Sequence, residues 1–134
     1  MNAPKFVLDT SALLTLMEEE EGTDRVEAIL RQEKLIIPFA VLLEIYYISL
    51  QEHSEATADY RYALICNLPR ADIYWNMDEP TLLTAARFKA HCHVSFADAL
   101  IAAFAVQNDA ILVHKDPEFD ALKGHVLQES LPYK

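Results

Sequence analysis

The chain has 134 residues, 52% of them hydrophobic, with a formal net charge of −10. That length fits one domain with a real core, and so apolar a composition excludes a disordered chain. The acidic balance argues against a general nucleic-acid binder, whose phosphate contacts need Lys and Arg, and two glycines leave little material for a hairpin-rich β fold.

Phe6-Val7-Leu8 is short and wholly apolar, as in a strand buried on both faces. Asp9, Thr10 and Ser11 offer three N-caps for a helix through Met17. Glu18 to Glu21 form an acidic run that reads as solvated, and Gly22 breaks it. A second helix fits Thr23 to Gln32, with Val26, Ile29 and Leu30 on one face. Leu35-Ile36-Ile37 is the second strand, and Pro38 opens a helix over Phe39 to Gln51. Further helices fit Ala56 to Leu68, Pro80 to Ala90 and Ser95 to Gln107, the last rich in Ala and apolar on most sides. Ala71 to Tyr74 and Ile111 to Val113 complete four strands, and Val126-Leu127 suggests a weak fifth. Strands alternating with helices predict a three-layer α/β/α sandwich, with a mainly parallel sheet of four or five strands in one domain over residues 1–134.

No signal peptide or membrane-length apolar run is visible, and Cys66 and Cys92 stand in no metal-binding spacing. Reduced thiols in a cytoplasmic protein are therefore expected. His91 and His93 do not share a helix face and read as surface residues.

Four carboxylates stand among apolar residues, each near a joint between a strand or turn and a helix: Asp9, Glu44, Asp98 and Asp116. Each has a plainer reading when taken singly. Asp9 is a possible N-cap, Ser95-x-x-Asp98 resembles a capping box, and Asp116-Pro117 is a common helix opening. Glu44, flanked by Leu43 and Ile45, lies too far into its helix to cap it, and a salt bridge is its plain alternative. Jointly the residues say more. Ligands of open α/β sheets bind beyond the carboxyl ends of the strands, where Asp9, Asp98 and Asp116 are expected. Gathered there, like charges repel unless a hard divalent cation joins them. Metal-assisted phosphodiester chemistry is the leading expectation.

Four patterns in this order resemble a PIN domain of the VapC toxin type: Leu8-Asp9-Thr10-Ser11-Ala12-Leu13-Leu14; Pro38 with Val41-Leu42 and Glu44; Ser95-Phe96-Ala97-Asp98-Ala99-Leu100; and Leu112-Val113-His114-Lys115-Asp116-Pro117-Glu118-Phe119. The fourth departs from the family, which often carries Thr or Ser where this chain has His114. The resemblance implies an endoribonuclease using Mg²⁺ or Mn²⁺, held mainly by Asp9 and Asp98 with Glu44 and Asp116 as ligands or bases. It implies a toxin with an RNA substrate and an antitoxin partner. It also implies that Thr10, Ser11 or Lys115 contacts a phosphate. A homodimer is expected from the apolar Phe39–Gln51 helix and from Tyr60 and Tyr62 beside it. Two other readings stand: a Mg²⁺-dependent phosphatase or receiver-like domain, and a binding module whose carboxylates only cap helices. A dehalogenase-type phosphatase wants Asp where this chain has Ser11.

Overall fold

A parallel strand at the centre of a sheet has no wet face, and Phe6, Val7 and Leu8 are accordingly all buried. In the computed structural model, which describes residues 3–133, they belong to β1 (Lys5–Leu8). After it come α1 (Thr10–Met17), α2 (Thr23–Gln32), β2 (Lys34–Pro38), α3 (Phe39–Glu52), α4 (Glu55–Cys66) and β3 (Ala71–Tyr74). The remainder is α5 (Glu79–His91), α6 (Phe96–Gln107), β4 (Ile111–His114), a 3-10 helix (Pro117–Leu122) and β5 (Gln128–Ser130). The sheet runs β3-β2-β1-β4-β5 with every neighbouring pair parallel. Helices flank it to form the expected three-layer α/β/α sandwich.

The strand order places the functional edge. From β1 the chain winds outward through β2 and β3, then returns to lay β4 and β5 on the other side. The switch point therefore lies between β1 and β4, where loops diverge and leave a crevice. Asp9 N–H donates to the Val113 carbonyl at 3.1 Å, closing the two strands at this edge.

Local chemistry explains most boundaries. Asp9, Ser54, Asp78 and Ser95 each cap a helix by accepting a backbone N–H three residues on. Gly22 sits at φ +106°, a conformation that favours glycine, and turns the chain from α1 into α2. The Ala-rich α6 is buried from Asp98 through Ala105, as its composition predicts. Phe104 meets Phe39 and Tyr74 edge-on, with centroids 6.1 and 6.2 Å apart.

Three expectations need correction. The fifth strand is Gln128–Ser130, not Val126-Leu127: Val126 is buried with its N–H donating back to the Leu122 carbonyl at the end of the 3-10 helix, while Leu127 is 70% exposed. The fourth helix starts at Glu55 because Ser54 caps it, and it ends at Cys66. The acidic run is not merely solvated. Glu18 accepts from the buried Arg61 guanidinium at 3.1 Å and lies 3.1 Å from His53 Nε2.

Candidate functional site

Asp9 follows β1 directly and is only 2% exposed. Its Oδ1 accepts the Ala12 N–H at 2.9 Å, and the Ser11 hydroxyl donates to it at 2.7 Å. The Ser11 oxygen in turn accepts the Lys115 N–H at 2.8 Å, tying the loop after β1 to the loop after β4. Thr10 donates its hydroxyl to Glu44 Oε1 at 2.6 Å. This bond draws Glu44 from the second turn of α3 to the same sheet edge. Both hydroxyl protons thus go to carboxylates in this structure. The Lys115 Nζ donates to the Glu21 carbonyl at 2.7 Å and lies 3.7 Å from Glu20.

Asp98 lies in the first turn of α6 and is 7% exposed. Ser95 Oγ accepts the Asp98 N–H at 3.1 Å, which is half of a capping box. The other half is missing. Glu118, not Asp98, accepts the Ser95 N–H. With Glu118 as the capping acid, no donor among the described residues reaches the Asp98 carboxylate, which is left for the crevice. Asp116 caps the 3-10 helix by accepting the Glu118 N–H at 2.9 Å. One carboxylate oxygen each of Asp98, Asp116 and Glu118 lies within 4.8 Å of the others.

The electrostatics follow from this crowding. Burial, with smaller contributions from Asp116 and Glu44, pushes Asp9 up to about 7 against the lowering effect of its Ser11 and Ala12 hydrogen bonds. Burial pushes Asp98 up to about 8, reinforced by Asp9, Glu118, Asp116 and Glu44. Among the described residues no Lys or Arg forms an ion pair with any of these five acids. The positive ends of α1 and α6 both face the cluster and offset part of its charge. The donor set, carboxylate oxygens without sulfur or imidazole, suits a hard divalent cation such as Mg²⁺ or Mn²⁺.

Of the four acids singled out in the sequence, Asp98 and Asp116 thus cluster with Glu118, while Asp9 and Glu44 lie near enough to act on them electrostatically. Glu118 stands two residues after Asp116, in the first turn of the 3-10 helix that opens at Pro117. His114 is fully buried beside the cluster, and burial holds its imidazole below the usual histidine range.

The PIN domain family model matches residues 6–124. No curated protein matches the chain. Among solved structures, VapBC2 from Rickettsia felis, bound to a DNA fragment from its promoter, superposes with a TM-score of 0.76 at 16% identity, over 96% of this chain and 99% of that one. VapBC-1 from nontypeable Haemophilus influenzae gives 0.72 at 18% identity, over 94% and 97%. VapC20 of Mycobacterium tuberculosis, described as a sarcin-ricin loop cleaving toxin, gives 0.73 at 14% identity, over 95% and 99%. At these identities the likeness establishes the fold.

Proposed function

Because this chain belongs to the PIN domain family, we propose that its acidic crevice hydrolyses RNA phosphodiester bonds with the help of Mg²⁺ or Mn²⁺. We propose further that the protein is the toxin of a toxin–antitoxin pair, with residues 1–134 forming one nuclease domain. One observation carries the reading. Three carboxylates cluster at the sheet's switch point, Asp9 and Glu44 act electrostatically on the same group, no cationic side chain among the described residues pairs with the five, and two have acidities suppressed by burial and mutual repulsion. Helix capping alone does not require such a gathering.

Asp98, Asp116 and Glu118 would supply oxygen donors for the cation, with the Asp9 carboxylate near enough to act on Asp98. Held there, a divalent cation would supply Lewis-acid polarisation of a phosphoryl oxygen and a more readily deprotonated water. Thr10 holds Glu44 through one oxygen. The other is available to orient the attacking water and accept its proton. The N-termini of α1 and α6 present unpaired N–H groups and positive dipole ends to the substrate phosphate. Attack in line gives a 5′-phosphate and a 3′-hydroxyl. Since the surface is so acidic, non-specific phosphate affinity is low and cleavage is selective.

The antitoxin partner is supported by the toxin–antitoxin assemblies among the similar structures. A homodimer is supported by the α3–α4 face, where Leu43 (63%) and Tyr62 (37%) are exposed along a groove that includes Trp75, with Tyr60 (67%) exposed elsewhere on α4. Sedimentation at tens of micromolar checks it, and a monomer throughout would refute it. A cytoplasmic setting fits two free thiols, and among the described residues no helix is long and apolar enough to cross a membrane.

The deciding assay offers a panel of structured RNAs with Mn²⁺ or with EDTA. Cleavage confined to the Mn²⁺ arm, selective among the RNAs and lost in Asp9→Asn, is expected. Equal cleavage in EDTA removes the proposal.

A further inference from the structure

His114 ends β4 at the position where the family motif often carries a hydroxyl residue, and it is fully buried two residues before Asp116. Its ring bridges two partners. Nδ1 accepts the Asp116 backbone N–H at 3.2 Å. The ring proton is therefore on Nε2, which donates to Gln128 Oε1 at 2.7 Å. Gln128 in turn donates its Nε2 to the Phe119 carbonyl at 3.2 Å. The ring also packs on Phe119, with centroids 4.8 Å apart. One side chain thus joins β4, the Asp116 loop, the 3-10 helix and β5. A Thr or Ser hydroxyl, with a single oxygen one bond from Cβ, is too short to span both partners.

We propose that His114, as its neutral Nε2–H tautomer, is a positioning residue that sets Asp116 and, through the 3-10 helix, Glu118 toward the cation site. Groups behind a ligand commonly fix its orientation, and their loss typically weakens metal binding about 10- to 100-fold. The role rests on the reading of Asp116 as a metal ligand, but its backbone half is measurable without metal.

Two substitutions divide the bridge. His114→Asn puts an amide oxygen near the place of Nδ1 and keeps an acceptor for the Asp116 N–H. His114→Gln reaches toward Gln128 and leaves that N–H unpaired. Both empty the ring's place in the core, so both lower the melting temperature and each controls for the other. The readouts are hydrogen exchange of the Asp116 amide in metal-free protein and Mn²⁺ affinity by calorimetry. His114→Asn should keep Asp116 protected and bind Mn²⁺ within about threefold of wild type; His114→Gln should exchange faster and bind about tenfold or more weakly. Equal exchange and equal affinity in the two variants would overturn the proposal. So would imidazole ¹⁵N shifts of the wild type that put the proton on Nδ1, a result that needs no variant to fold. A wild type that binds no Mn²⁺ defeats the metal reading instead, and the Asp116 exchange comparison still decides for or against His114.

Discussion

Asp98 illustrates how one residue comes to carry an uncompensated acid. Its helix is capped by Ser95 and Glu118, so its carboxylate has no structural duty, and burial raises it to about 8. In the unfolded chain the same group ionises near its ordinary value. Between those two values the folded state alone holds the proton, so stability falls as pH rises. Asp98→Asn removes this penalty. In metal-free protein it should gain about 1 kcal/mol at neutral pH, roughly 2–6 °C in melting temperature, and almost nothing near pH 4. Mn²⁺ should stabilise the wild type far more than the variant. Thermal melts in EDTA and in Mn²⁺ check both; a variant that melts lower in EDTA yet gains as much from Mn²⁺ would make Asp98 structural. The sequence singles out Asp98 because an acid in so apolar a helix is costly. Glu118 stayed hidden because a Glu beside Pro117 in a polar turn costs nothing until α6 is seen to lie against it.

At the scale of elements, buried strands and capped helices were legible wherever a run of apolar residues or a capping side chain stood alone. β5 was not, since Val126 and Leu127 mimic a strand by hydropathy while the ladder to β4 forms at Gln128, Glu129 and Ser130. Register there is set by the partner strand, which no local pattern reports. The tie between α1, α3 and α4 was equally invisible. Arg61 is 7% exposed and donates to Ser49 Oγ and Glu18 Oε1, both at 3.1 Å. Charge-assisted hydrogen bonds of this kind stabilise by roughly 1.5–3 kcal/mol. Arg61→Ala should therefore lose about 2 kcal/mol in urea unfolding, and Arg61→Lys should not restore it, because one ammonium lacks the guanidinium's fork. A loss below about 0.5 kcal/mol, the range of ordinary surface changes, would mean the contact is idle.

For the whole molecule, the two raised carboxylates make metal-free stability a function of pH. Asp9 rises to about 7 and Asp98 to about 8. Their contribution is complete near pH 4 and is lost as pH climbs through those values, by at most about 1.4 kcal/mol per group per pH unit. The metal-free protein should melt lower at pH 8.5 than at pH 5.5. Mn²⁺ at pH 7.5 should reverse the loss, by about 2.7 kcal/mol at a hundredfold excess over its dissociation constant. Melting scans across pH, with and without Mn²⁺, measure both effects, and a flat metal-free profile would contradict the crowded site.

Ser11 and Lys115 meet across 104 positions of sequence. Contacts so remote carry a large loop-closure cost and form after local helices do. A chain emerging from the ribosome as far as residue 110 already contains Asp9, Glu44 and Asp98, yet β4 and the 3-10 helix that complete the crevice do not exist. The acidic crevice is therefore assembled only once residues 111–122 have joined the fold, however early the first strands and helices form.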